Sequence, residues 1–155
     1  MSHEIPDTPA AAQPEPDAPA AAATARTESE RQARGAFKRY AVMAIVTGVF
    51  LLLLTAEMIM KYVFQLNGVN PDGSARAVMG SWIAIVHGWI YVIYLLTVFF
   101  LWSTMRWSTG RLVVLVLGGV VPFLSFVMEA VAAKWFAADL PARLDRAAQL
   151  ASRAR

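Results

Sequence analysis

Three long apolar stretches lie between Tyr40 and Lys134, and nothing else in the chain limits its fold so strongly. They run from Ala41 to Phe64, from Trp82 to Thr104 and from Leu112 to Lys134. A helix rises about 1.5 Å per residue, so roughly 20 apolar residues cover the hydrocarbon core of a bilayer. Each stretch is long enough. The chain is 57% apolar and only 16% charged, and the charge is gathered at the ends and connections. A soluble domain spreads its apolar residues along every element, whereas membrane spans concentrate them. The pattern predicts an all-α membrane protein with three transmembrane helices, located in the cell membrane as a multi-pass protein.

The connections support those boundaries. Residues 65–81 carry the turn signals Asn67-Gly68 and Asn70-Pro71-Asp72-Gly73, and Met105–Arg111 reads as a short basic turn. Trp82, Trp102, Trp107 and Trp135, with Tyr40 and Tyr62, fall near span ends, where amphipathic rings prefer to sit. The third stretch contains Gly118-Gly119 and Pro122, which predict a kink inside a continuous membrane helix.

Outside the spans the composition changes. Residues 1–35 hold five of the eight prolines, six acidic residues and many alanines, with few large apolar side chains. Such a segment cannot offset its ordering entropy, so a disordered tail is expected, with at most a short helix from about Thr27. It has neither the basic start nor the early apolar run of a signal peptide. Residues 136–155 read as a short amphipathic helix: Asp139 caps it, Pro141 lies in its first turn, and Leu140, Leu144, Ala147, Ala148 and Ala151 share one side. It is expected to lie on the membrane surface. The chain therefore divides into a tail (1–35), a transmembrane domain (36–135) and a C-terminal helix (136–155).

With no cysteine, disulfides, thiolate metal sites and cysteine nucleophiles are excluded. The net charge of +3 comes from basic residues flanking apolar segments. Orientation and anionic lipid account for them, so nucleic acid is not an expected partner. For three alternating spans the basic residues of the two faces tie at seven each. The cluster Arg26, Arg31, Arg34, Lys38 and Arg39 ahead of the first span breaks the tie. It puts the N-terminus in the cytoplasm and the C-terminus outside.

Ionisable groups inside membrane helices are costly and ask for a reason. Four lie within the spans: Glu57, Lys61, His87 and Glu129. Counted from the span ends, Glu57 lies roughly 10 Å deep and His87 and Glu129 roughly 8 Å. In alternating spans these depths are measured from one membrane face, so the three groups are expected to converge. Helical spacing aligns His87 with Tyr91 and Tyr94, and Pro122 and Ser125 with Glu129. Ala44 with Gly48, and Ala84 with Gly88, are small-xxx-small pairs that permit close helix approach. Three readings compete. The polar groups specify packing, with Glu57 and Lys61 neutralising each other at i,i+4; they form a proton- or ligand-responsive site; or one His and two Glu bind a metal, for which no recognised ligand spacing is present.

From about Tyr40 to Glu129 the chain resembles the actinobacterial integral membrane proteins named for a His-Gly pair, the family of domain of unknown function 3817. The resemblance rests on Gly48, Glu57 with Lys61-Tyr62, His87-Gly88-Trp89 with Tyr94, Arg106-Trp107 with Gly110, Pro122-Phe123 and Glu129. It implies a three-span membrane protein and brings no activity. No Ser/His/Asp order, phosphate-cradling glycine loop or metalloprotease signature is present. The expected role is a non-enzymatic accessory or assembly component of the cell envelope. It needs no cofactor or metal, and its partners are the lipid bilayer and a second copy or another membrane protein. The alternative is a proton- or small-ligand-responsive site around His87 with Glu57 and Glu129.

Overall fold

The computed structural model describes residues 18–154, and all the elements among them are helical. There are four: α1 (Ala18–Tyr62), α2 (Trp82–Met105), α3 (Thr109–Gly118) and α4 (Leu124–Arg153). The expected disorder of residues 1–17 lies outside the described residues. Residues 18–35, expected to be disordered but for a short helix from about Thr27, are instead the first two fifths of α1. Alanine is the best helix former, and Pro19 falls in the first turn, where its missing N–H has no partner to lose. Glu30 and Arg34 add an i,i+4 pair at 2.7 Å. Ala33 and Ala36 are buried, and their small side chains admit a neighbouring helix.

α1 and α2 are each long and apolar enough to cross a membrane, which is compatible with a membrane location. They run antiparallel. Glu57 reaches the chain just before α2, the Tyr40 and Tyr94 rings lie 6.0 Å apart, and Arg39 stands over Phe100. Their outward faces are strongly apolar, with Val42, Ile45 and Val49 on α1 and Ile85, Trp89, Leu96 and Phe99 on α2 all exposed.

The third apolar stretch is not one helix. α3 stops at Gly118, the chain turns through residues 119–123, and α4 runs back antiparallel to α3. Gly118 faces Met128, Trp107 meets Trp135 edge-on at 6.0 Å, and Arg111 pairs with Asp139. The reversal has local causes. Glycine is a poor helix former, Pro122 lacks an N–H and disfavours helical backbone at Val121, and Phe123 takes a left-handed φ of 64°. Gly119 also allows a close approach, since a Cβ there would lie 2.6 Å from the Tyr91 ring. The expected kink is therefore a hairpin.

α4 lies antiparallel along the first two thirds of α1. The Ser125 hydroxyl donates to the Ala44 carbonyl (2.8 Å), Phe136 stacks on Phe37 at 4.7 Å, and Arg143 and Asp145 reach Gln32 and Arg26. The Ala44–Gly48 pair is where the two helices close in, with Gly48 against Ser125 and Phe126. Residues 136–153 are not a separate surface helix. They continue α4 through Pro141, and Leu140 and Leu144 pack into the core against α1. The end of α4 thus stands beside the start of α1, so the first and last described residues lie at the same end of the bundle.

Candidate functional site

A hairpin inside a packed core must satisfy its own backbone. At the end of α3 the Gly119 amide turns to the Val116 carbonyl and the Val120 amide to the Leu117 carbonyl, which leaves the Leu115 carbonyl without an amide, and a buried carbonyl without a donor costs about 1–3 kcal/mol. α2 supplies the donors. The Tyr94 hydroxyl donates to the Leu115 carbonyl at 2.6 Å and the Tyr91 hydroxyl to the Val116 carbonyl at 3.1 Å. Tyr94 and Leu115 are both fully buried. The helical spacing that aligned His87, Tyr91 and Tyr94 thus produces a file of rings. Successive centroids lie 6.3 Å (His87 to Tyr91), 6.0 Å (Tyr91 to Tyr94) and 6.0 Å (Tyr94 to Tyr40) apart. At its open end the His87 Nδ1 is buried without a hydrogen-bond partner among the described residues.

The other predicted groups separate. Glu57 is buried and its carboxylate accepts from the backbone amides of Val78 and Met79, both at 2.8 Å. Charge-assisted bonds of this kind fasten the α1–α2 connection to α1. Glu57 is therefore not neutralised by Lys61, which stands over the Tyr62 ring at 4.8 Å. Glu129 does not join Glu57 and His87. It lies one turn beyond Ser125, which is bonded to Ala44, and Ala44 is about 20 Å along α1 from Glu57. Its neighbour is Tyr40. The convergence was expected from alternating spans, and the hairpin reverses the direction of the segment that carries Glu129.

Among the motif residues, Trp89 and Gly88 are exposed on α2, and Gly88 has no atom within 4 Å of where a Cβ would sit. Pro122 is in the reversal and Gly110 is in the first turn of α3. Trp107 is buried and donates from Nε1 to Asp139 at 2.8 Å, and Arg111 pairs with the same carboxylate. Arg106 closes α2 in a left-handed conformation with φ 54°. Asp139, expected as a helix cap, lies inside α4, and Arg143 and Arg146, which entered only the charge count for orientation, lie close to it. With Arg106, Arg111, Trp107 and Ser108 they line a cleft of about 340 Å³ at the base of the hairpin. Only their shared i,i+3/i+4 face with Asp139 hinted at this. Among the described residues no group of three His, Cys, Asp or Glu could hold a metal ion.

Comparison with known proteins places these residues in a family. The family model described as Domain of unknown function (DUF3817) matches residues 37–134. Uncharacterized proteins of Mycobacterium bovis and Mycobacterium tuberculosis are each 35% identical over 124 residues, covering 80% of this chain and 87% of the relative. One of Mycobacterium leprae is 35% identical over 98 residues, covering 63% and 72%. No solved structure matches.

Proposed function

Since the chain belongs to the Domain of unknown function (DUF3817) family, we propose that it is a multi-pass membrane protein acting as a non-enzymatic assembly component of the cell envelope. In this reading α1 from about Ala41 and all of α2 cross the bilayer. α3 and the start of α4 form a re-entrant hairpin that enters one leaflet and leaves by the same face. Both chain ends are cytoplasmic. Two considerations support that disposition. The outward apolar faces of α1 and α2 suit lipid and would form unusually large patches in water. The basic residues also fall on one side: of the thirteen Lys and Arg among the described residues, only Lys61, at the end of α1, and Arg76, in the α1–α2 connection, lie at that end of the bundle. The other eleven flank the opposite end, where α1 starts and α4 finishes, and in this reading that is a strong positive-inside bias.

The observation that carries the assembly reading is the uncovered part of α2. The hairpin covers α1 and α2 only toward the chain ends. Beyond its tip, Ala84 and Gly88 are exposed on α2, and His87 keeps an unpartnered nitrogen. An exposed small-residue face suits a second transmembrane helix, which packs closely on the glycine. The partner is a second copy or another membrane protein. In native membranes, a Gly88→Cys variant of this cysteine-free chain should form a disulfide-linked dimer or a crosslink to one reproducible partner. Failure to crosslink at both Gly88 and Ala84, with a monomer in mild detergent, would count against it.

The proton- or ligand-responsive alternative narrows to His87, because Glu57 is engaged with the backbone and Glu129 is remote. The unpartnered His87 nitrogen and the tyrosines beside it favour it. His87→Gln should then abolish a pH-dependent change in assembly or in tyrosine fluorescence. An identical pH profile in both proteins removes this reading.

A further inference from the structure

The cleft at the base of the hairpin is unlike the rest of the molecule in charge. It is bounded by the end of α2, the start of α3 and the middle of α4, and Arg106, Arg111, Arg143 and Arg146 all line it. A neighbouring cleft of about 200 Å³ shares Met105, Arg106, Arg143 and Arg146 and extends the same surface. One carboxylate, Asp139, faces these four guanidinium groups, and it is already engaged by Arg111 and the Trp107 indole. Asp145 is held by Arg26 on the outer side of α4. Among the described residues, Arg106 and Arg146 have no ion-pair partner, and Arg143 has a buried Nε without an acceptor beside a long 3.3 Å bond to Gln32. Burial and the nearby charges of Arg106 and Arg146 hold the Arg143 pKa below its ordinary value.

Two further features point the same way. Ser108, just ahead of α3, makes no side-chain cap and lines the cleft, so the anion-favouring end of that helix lies at it. Arg106 occupies a left-handed backbone position that glycine would take without strain. A bulky cation is therefore held where the backbone favours glycine, pointing its charge at the same space.

We propose that this cleft is a binding site for a phosphate group, gripped by Arg106, Arg143 and Arg146 and by the uncapped start of α3. Guanidinium groups match phosphate oxygens bidentately, and a helix N-terminus adds amide donors. The phosphate belongs either to an anionic phospholipid headgroup, since Trp107 and Trp135 mark this level as interfacial, or to a small phosphorylated solute.

The test uses the full chain in uncharged detergent, with thermal stability and Trp fluorescence titrated against dihexanoyl-phosphatidylglycerol, inorganic phosphate and phosphate-free dihexanoylglycerol. Saturable stabilisation by the phospholipid but not by inorganic phosphate assigns a lipid headgroup, and equal response to both assigns a free phosphate. Arg106→Gly, which removes the charge and relieves the backbone, and Arg146→Gln on an exposed position should each weaken binding at least tenfold with the melting curve of the unliganded protein retained. Arg153→Gln, outside the cleft, should bind as the parent does. The proposal is overturned by equal stabilisation from dihexanoylglycerol, by cleft variants that bind normally, or by the same loss in Arg153→Gln.

Discussion

Replacing Tyr94 with phenylalanine isolates the contact that closes the hairpin. The ring stays, so packing against Tyr40 and Leu115 is kept and no cavity opens. What is lost is a single donor. Its acceptor, the Leu115 carbonyl, is fully buried at the end of α3, and the next turn that would otherwise bond it does not exist. Leaving such a group unpaired costs about 1–3 kcal/mol. Tyr91 makes a lesser contact, longer at 3.1 Å and only partly buried, and its acceptor, the Val116 carbonyl, also takes the Gly119 amide at 3.2 Å, so Tyr91→Phe should cost about 0.5–1.5 kcal/mol. Tyr62 is 58% exposed, and Tyr62→Phe should change stability by less than about 0.5 kcal/mol. The order Tyr94, Tyr91, Tyr62 can be read from reversible unfolding of the purified protein in mixed micelles, with hydrogen exchange reporting whether Val120 and Val121 loosen first. A Tyr94→Phe protein within about 0.5 kcal/mol of the parent, or one no worse than Tyr62→Phe, would refute the argument that α2 satisfies the broken helix.

Other substitutions probe neighbouring claims. Glu57→Gln keeps one acceptor oxygen where the structure uses two, so one of the Val78 and Met79 amides loses its partner. A loss of about 1–3 kcal/mol and faster exchange at those two amides are expected. Gly119→Ala drives a methyl to within 2.6 Å of the Tyr91 ring and should cost about 1–3 kcal/mol by the same unfolding assay. Arg106→Gly should leave stability unchanged or raise it by up to about 1 kcal/mol, because the left-handed backbone there suits glycine. In the α1–α2 connection, hydrogen bonds from the Ser74 amide and hydroxyl lower the Asp72 pKa below its usual 3.8. A depressed carboxylate favours the folded turn above the unfolded pKa and loses that contribution as pH falls through the folded value. Exchange at the Ser74 amide should therefore accelerate below about pH 3.8 relative to the rest of the connection, and a pH-independent ratio would contradict the assignment.

What could be read from the residues was what local chemistry decides. Trp82 opens α2 where the apolar run begins, and the Asn70–Gly73 turn forms where its residues predict. His87, Tyr91 and Tyr94 share a face because they are spaced by one helical turn. The hairpin was hidden by the same logic. Hydropathy scores residues 112–134 as one stretch, and proline is tolerated in membrane helices. Gly118-Gly119 and Pro122 allow a bend or a reversal, and the tyrosine hydroxyls that bond the end of α3 in the reversed form stand on a different helix. Alternating spans put Glu129 beside Glu57, whereas the hairpin carries it beyond Ser125 toward Tyr40. Residues 18–35 are helical through alanine propensity together with contacts from α4 at Arg26, Gln32 and Ala33, and composition averaged over the tail conceals both. The arginine cleft joins residues from three helices, so no sequence window contains it.

In the proposed disposition the third apolar stretch turns back rather than crossing, which leaves the start of α1 and the end of α4 on one membrane face. Because the chain has no cysteine, single-cysteine variants at Thr27, Ser74 and Ser152 report this directly through an impermeant thiol reagent on sealed vesicles of known orientation. Thr27→Cys and Ser152→Cys should label together from the cytoplasmic side, with Ser74→Cys labelling only from the opposite side. Labelling of Ser152→Cys on the same side as Ser74→Cys would show a third crossing and contradict the hairpin.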